Sequence, residues 1–148
     1  MPTLNFQELD LRKGVLVTKN DFLPFGHIVA SPNSFFIDHF TGNTCISAEN
    51  IKATNKGTDD DYLRKGDIVL VNTGNIGKFY SINKNFPIPV VANQYLTIIK
   101  KNKKNNLIQL FEDVDFINAF NLKLKEVTEG TAISRINHQK LKNITINW

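Results

Sequence analysis

The chain has 148 residues, 41% hydrophobic and 22% charged, which allows one domain with a buried core and excludes general disorder. Its single cysteine excludes an internal disulfide. The sequence contains no run of about eighteen apolar residues, the length that predicts a membrane-spanning helix. Residues 1–61 carry five basic and eight acidic side chains, a net charge of −3. Residues 62–148 carry thirteen basic and six acidic side chains, a net charge of +7, and the whole chain has a net charge of +4. The basic second half indicates either a surface for a polyanion or only a solvated, lysine-rich surface.

Residues 1–61 are predicted to form short strands separated by turns. Gly14 precedes the first apolar triplet, and Cys45 lies in an apolar stretch, where we expect it to be a buried small residue. The predicted strands are residues 15–17, 34–40 and 45–47, followed by a polar loop at 52–61.

The strongest local pattern lies between residues 62 and 99. Residues 68–71 are four consecutive apolar residues, as in a buried strand, and a turn-forming cluster at 72–75 follows them. Residues 77–82 return to a strand pattern, so 67–82 is predicted to be a β-hairpin. Two more strands are predicted at 90–92 and 95–99.

Helical periodicity is confined to residues 107–127. One apolar stripe follows three- and four-residue steps, through Leu107, Leu110, Phe111, Val114, Ile117, Phe120, Leu124 and Val127. Gly130 is predicted to end this helix, and residues 132–136 are predicted to form a strand. Asn137 is then predicted to cap a short turn through Lys142, and residues 144–148 are predicted to form the last strand. The sequence therefore predicts a single α+β domain over 1–148, with many short β-strands in a twisted, partly barrel-like sheet and one principal amphipathic helix.

Motifs for catalysis, metals and cofactors are missing from the sequence. Gly74, Gly77 and Lys78 resemble a phosphate-binding loop, but two residues separate the glycines where such a loop needs four, and Phe79 follows the lysine. The three histidines are far apart, and Asp59–Asp61 lacks the spacing of a calcium loop. We predict no catalytic residue, no metal site and no cofactor, in a soluble cytoplasmic protein.

Nucleic-acid binding is the function that these side chains favour. The predicted phosphate contacts are the lysines Lys78, Lys84, Lys100, Lys101, Lys103 and Lys104. Amide and guanidinium groups suited to base edges occur at loop positions, namely Asn72, Asn75, Asn93, Gln94, Arg135 and Asn137. Taken singly, each of these residues is more often a turn or capping residue, and the lysine run is equally typical of a solubilising loop.

The order of segments resembles the target recognition domain of type I restriction–modification specificity subunits. The resemblance covers about residues 44–147 and rests on Asn50-Ile51, the Leu63-Arg64-Lys65-Gly66-Asp67-Ile68 strand start, Thr73–Lys78, residues 91–99, the amphipathic helix, Glu129–Asn137 and Leu141–Ile144. It implies that the domain reads one half of a bipartite duplex DNA target, while an adenine methyltransferase subunit and a motor or nuclease subunit supply the chemistry. It also implies that the Thr73–Lys78 turn and the 131–137 loop, with Thr73 and Ser134, lie near DNA.

A complete subunit of that family resembles two recognition domains separated by long helices, whereas this sequence matches one. We therefore expect an excised domain or a half-subunit whose homodimer or second recognition domain supplies the other half. The alternative function is a protein-interaction or regulatory module that keeps the recognition fold without reading DNA. A small hydrolase is the weakest alternative, because no pocket of coupled titratable groups is indicated.

Overall fold

The computed structural model describes residues 2–35, 45–46, 62–83, 86 and 89–148. The strands in these ranges are β1 (Thr3–Asn5), β2 (Leu11–Lys13), β3 (His27–Ala30), β4 (Cys45–Ile46), β5 (Ile68–Val71), β6 (Phe79–Ser81), β7 (Val90–Ala92), β8 (Leu96–Ile99), β9 (Thr128–Glu129), β10 (Arg135–Ile136) and β11 (Thr145–Asn147). The α-helices are α1 (Leu107–Leu110), α2 (Val114–Val127) and α3 (His138–Leu141). None of the described helices is long and apolar enough to cross a membrane.

The strands of the described ranges form four separate sheets. The central one is antiparallel, in the order β2-β8-β5-β6, and a second has the order β4-β3-β7 with β3 and β7 parallel. The remaining pairs, β1–β11 and β9–β10, are antiparallel two-stranded ribbons. The α+β prediction and the single main helix are confirmed. The sheets that the described strands form do not close on one another, so the partly barrel-like arrangement is not confirmed.

The central strand β5 is buried on both faces, which explains its unbroken apolar sequence. Because side chains alternate along a strand, Ile68 and Leu70 pack into the cluster that contains the helices. Val69 and Val71 pack into a second cluster, with residues of β7 and β8. The predicted 67–82 hairpin is confirmed by the antiparallel pairing of β5 with β6.

The predicted single helix over 107–127 is divided by a second helix start. The Asp113 side chain accepts hydrogen bonds from the backbone N–H groups of Asp115 and Phe116, so a new helix begins at Val114. The restart changes which residues face the core: Phe116 is buried, whereas Val114 is 67% exposed. The prediction that Val114 belongs to the buried stripe is wrong, since the break shifts the helical phase.

In the first third, one predicted strand is wrong and another does not begin where predicted. Residues 15–17 do not form a strand, because Val15 makes only an isolated bridge to Asn93, and Leu11–Lys13 pairs with β8 instead. Pro32–Ser34 is a 3-10 turn in which the Ser31 backbone N–H is bonded to the Ser34 hydroxyl, so a strand from Ser34 does not form. The rest of predicted strand 34–40 beyond Phe35, the loop at 52–61 and Ser47 lie outside the described residues. Cys45 is in β4 as expected but half-buried.

The chain after the main helix differs from prediction at Gly130. Helix α2 ends at Val127, where the Thr128 hydroxyl donates to the Leu124 carbonyl, and Gly130 (φ +107°) instead forms the β9–β10 turn. Asn137 does cap α3, as predicted, by accepting from the Lys140 N–H. The last strand, β11, pairs with β1, which joins the two ends of the chain.

The central sheet has two ends that matter for function. At one end, β5 finishes at Val71 beside the start of β8 at Leu96; we call this the turn end. At the other, Ile68 lies beside Ile99, and we call this the lysine end because Lys100–Lys104 follow it. Four-residue strands place the two ends about 10 Å apart before their loops are counted.

Candidate nucleic-acid interface

The turn after β5 begins with a fully engaged asparagine. The Asn72 side chain is buried; its Nδ2 donates to the Gln94 carbonyl oxygen (3.2 Å) and to the Thr97 hydroxyl (3.1 Å), and its Oδ1 accepts from the Thr73 hydroxyl (2.8 Å). An amide whose groups are used inside the fold cannot also pair with a base edge. The prediction that Asn72 reads a base is therefore wrong, and its role is to fix the turn.

Main-chain hydrogen bonds join this turn to the 131–136 loop. The Gly74 N–H donates to the Ser134 carbonyl (2.8 Å), the Ile136 N–H donates to the Asn72 carbonyl (2.9 Å), and Thr73 and Arg135 form an antiparallel bridge. Gly74 has φ +85°, a conformation that L side chains rarely adopt. Two segments that are about 60 residues apart in sequence thus form one surface.

A second polar turn, Asn93–Tyr95, adjoins this surface. Gln94 is held at both ends of its amide, since Oε1 accepts from the Val17 N–H (3.1 Å) and Nε2 donates to the Val17 carbonyl (3.1 Å). One N–H and one oxygen lone pair of this amide remain, so base reading by Gln94 stays a prediction. Asn93 lies at the same end of the sheet, and its Oδ1 accepts from the Tyr95 N–H (3.0 Å). The Tyr95 side chain is 46% exposed.

Two clefts flank Thr73 at the turn end. The first, which we call the Lys78 cleft, has a volume of about 380 Å³ and includes Asn33, Phe35 and Asn75 in its walls. The second, the Arg135 cleft, has a volume of about 280 Å³. Its walls are formed by Lys13, Asn72, Thr73, Gln94, Tyr95, Ile133, Arg135, Ile136 and His138. None of these residues carries a carboxylate.

The lysine run divides into one buried and several exposed side chains. The Lys100 ammonium is buried, 2.8 Å from the Asp67 carboxylate and 3.0 Å from the Tyr62 carbonyl oxygen. Phosphate cannot reach it, so the predicted phosphate contact by Lys100 is wrong. Lys101, Lys103 and Lys104 are exposed, but they follow the lysine end and not the turn end.

Two other predicted contacts have different outcomes. Besides capping α3, the Asn137 amide donates to the Glu129 carboxylate (3.1 Å), and Lys140 donates to the same carboxylate (3.0 Å). These two hydrogen bonds lower the pKa of Glu129, and the one from Lys140 has the larger effect. The Asn137 side chain thus makes two hydrogen bonds within the fold, and its role as a base reader stays a prediction. Lys84 lies outside the described residues.

His138 forms part of the wall of the Arg135 cleft. Its Nε2 atom is buried and has no hydrogen-bond partner in the described part of the chain. Burial lowers the pKa of His138 from its ordinary value of 6.5, and the charges of Lys142 and Lys13 lower it further. The imidazole is therefore held neutral in the folded protein under conditions where it is partly protonated in the unfolded chain.

We expect this histidine to make stability fall in mild acid. Because its pKa is lower in the folded state, the unfolded chain binds the proton first as pH decreases, so the contribution is complete above about 6.5 and is lost below that value. Urea unfolding from pH 8 to pH 5 should show a steeper loss for the wild type than for His138→Gln. Parallel pH profiles for the two proteins would contradict the assignment.

Several residues of the turn end were missed by sequence reasoning. Lys13 follows no recognisable motif, and only the antiparallel pairing of β2 with β8 places it beside the turn. Tyr95 and Ile133, both exposed, were interpreted as strand residues. Within the described ranges, no three His, Cys, Asp or Glu side chains are placed to hold a metal ion.

Comparison with known proteins identifies the domain type. A family model described as the type I restriction modification DNA specificity domain matches residues 11–148, which is most of the chain. This chain belongs to that family. Specificity domains of this family are non-catalytic, and the methylase is a separate subunit of the system. A sequence comparison with curated proteins gives no match.

Solved structures share the fold of this specificity domain. The S subunit of a type I restriction–modification system from M. genitalium superposes with a TM-score of 0.54 at 19% identity, over 98% of this chain and 33% of that one. The HsdS subunit from Thermoanaerobacter tengcongensis gives 0.64 at 14% identity, over 98% and 32%. A chain from a structural study of complex assembly and conformational transition in the type I R-M system gives 0.65 at 14%, over 98% and 33%. The specificity domain thus spans about a third of each of these chains.

Proposed function

We propose that this specificity domain reads one half of a bipartite duplex DNA target through its turn end. The observation that supports the proposal is the joined surface of the 72–78 turn and the 131–136 loop. Four side chains on it, Asn75, Lys78, Ser134 and Arg135, are exposed, and none has a hydrogen bond or ion pair in the described part of the chain. Unpaired donors on a rigid main-chain frame are what DNA recognition requires.

The two cations of this surface have different tasks in the proposal. Lys78 lies on the turn beside backbone that a phosphate can approach, and an ammonium contacts phosphate as a point charge without choosing a sequence. Arg135 is in the wall of the Arg135 cleft, and a guanidinium can donate two parallel hydrogen bonds to one base edge. We assign backbone contact to Lys78, with Thr73 and Asn75 beside it, and base reading to Arg135 with Ser134.

Substitutions at these two positions should have different effects on DNA selection. Lys78→Glu should weaken binding to all sequences alike, whereas Arg135→Ala should relax the preference at one base pair, at a cost of about 1–3 kcal/mol. The measurement is selection from randomised duplex DNA at low and moderate salt, followed by sequencing of the retained pool. Each variant is compared with the wild type at equal protein concentration.

Each outcome of this selection bears on the proposal. The proposal is supported if the wild type enriches a motif of a few base pairs and Arg135→Ala loses the preference at one position of that motif. An equal loss on all sequences for Arg135→Ala would reject base reading by that residue. Wild-type retention that vanishes with salt and enriches no motif would reject sequence recognition, and favour the alternative of a protein-interaction module that keeps the fold.

The exposed lysines of the lysine end require a separate place in this proposal. Lys101, Lys103 and Lys104 follow the far end of the central sheet, so we do not assign them to the phosphates next to the turn. In the proposal they contact backbone farther along the duplex, and Lys84 and Asn93 remain candidate contacts. Such contacts add salt-sensitive affinity without sequence preference.

The assembly is also part of the proposal. Type I specificity subunits assemble with methyltransferase and restriction subunits, and we propose that this domain positions an adenine methyltransferase and, through it, a motor or nuclease subunit. A homodimer or a second recognition domain would read the other half of the target. Co-purification with a methyltransferase subunit tests the assembly, and a gapped two-part motif from selection with that complex tests the half-site reading.

A further inference from the structure

We propose that the Arg135 cleft reads guanine, and that Lys13 and Tyr95 are specificity-determining residues beside Arg135. This inference rests on the proposed function and names the base that the cleft accepts. The three residues come from β2, the 93–95 turn and β10, and the fold brings them to one concavity of about 280 Å³. No sequence motif links them.

The charges of the cleft favour an acceptor-rich ligand. Within the described part of the chain, neither the Lys13 ammonium nor the Arg135 guanidinium has a hydrogen bond or an ion pair, whereas the neighbouring Arg12 is paired with Asp10 at 3.2 Å. Lysine and arginine are donors only. With no carboxylate in the walls, the cleft offers no strong acceptor for the amino group of cytosine.

The amide side chains of the cleft favour guanine over adenine as the base that the cleft binds. Adenine is read by a group that both donates and accepts, as the Asn or Gln amide does. Both amides of this cleft, Asn72 and Gln94, are already used in hydrogen bonds within the fold. The charged groups of the cleft that have no partner in the described residues are cationic donors, and guanine presents two acceptors, O6 and N7, in the major groove.

Two exposed apolar groups favour a base over a phosphate as the ligand. The Tyr95 side chain is 46% exposed and Ile133 is 58% exposed, and both are in the cleft walls. An aromatic ring and an aliphatic chain suit the flat face of a base or a thymine methyl, and only the Tyr95 hydroxyl is a group that also suits a phosphate. The asparagine and glutamine hydrogen bonds fix the floor, so the donors are held in place before DNA arrives.

The test uses the full chain and the motif enriched by the wild type, which should contain a fixed guanine. Lys13→Met should reduce discrimination at that guanine, or at the adjacent base pair, by about 5- to 150-fold. Replacing the guanine by 7-deazaguanine, which lacks N7, should weaken wild-type binding but change the binding of Arg135→Ala little, because Arg135 is the residue assigned to the guanine edge. Tyr95→Ala should weaken binding to the motif more than to random duplex. Lys103→Met is the matched control, because Lys103 is also exposed but follows the lysine end.

The outcomes separate this inference from the proposed function. An enriched motif without guanine, or an equal loss by Lys13→Met on all sequences, overturns guanine reading and leaves sequence recognition intact. An equal loss would identify Lys13 as a phosphate contact. A wild-type pool with no motif overturns both the proposed function and this inference. Since Lys13 is exposed, its variant should unfold at the wild-type urea concentration, which excludes misfolding as the cause.

Discussion

Asp67→Ala is expected to lower the free energy of unfolding by about 3–5 kcal/mol. The Asp67 carboxylate is buried and accepts from the Lys100 ammonium (2.8 Å) and from the backbone N–H groups of Arg64 (2.8 Å) and Lys101 (2.7 Å). Its removal leaves a buried ammonium without a counter-charge and two N–H groups without an acceptor. Urea unfolding followed by circular dichroism measures the loss.

The exposed pair between Asp10 and Arg12 is the matched control for this variant. Its two charged groups lie 3.2 Å apart, but the carboxylate side chain is 54% exposed, so Asp10→Ala should cost less than about 1 kcal/mol. Similar losses for the two alanine variants would show that burial of the Asp67–Lys100 pair has no special weight.

Phe120→Ala is the second large effect, with an expected loss of about 3–5 kcal/mol. The Phe120 ring is fully buried in α2 and contacts three other rings, with centroid separations of 5.7 Å to Phe6, 5.3 Å to Phe111 and 5.8 Å to Phe116. The substitution opens a cavity where the helices meet the N-terminal segment and the central sheet. Thermal or urea unfolding of the purified variant measures it.

Leu122, two residues along the same helix, is the control for this position. Its side chain is 65% exposed, so Leu122→Ala removes little buried area and should change stability by less than about 0.5 kcal/mol. If Phe120→Ala were as mild as Leu122→Ala, the aromatic cluster would not be the main packing site of α2.

The elements that sequence reasoning predicted well are those with strong local patterns. Strand β5 is a four-residue apolar run, and Asn137 precedes a short helix as an amide that can cap it. The helix break was missed although Asp113 is a good N-cap, because the apolar steps continue across it. Strand β2 was missed because its sequence, Leu11–Lys13, contains one buried apolar residue, and only pairing with β8 makes it a strand.

The candidate site was harder to predict because its geometry is non-local. Sequence shows that Asn72, Gln94 and Asn137 can hydrogen-bond, but not that the fold already uses their amides. It shows four lysines within residues 100–104, but not that Lys100 is buried and that the other three follow the opposite end of the sheet from Lys78. The pairing of Thr73 with Arg135 depends on the whole fold between them.

That pairing has a consequence for how such a domain acquires a new target. The hydrogen bonds that join the 72–74 and 134–136 segments are between main-chain groups, and they form whatever the exposed side chains are. Lys13, Asn75, Ser134 and Arg135 can therefore be exchanged while the frame that presents them keeps its shape. Under the proposed function, a change of preferred DNA sequence needs only a few surface replacements. The turn end can therefore acquire a new target, by evolution or by design, without a change in the fold that supports it.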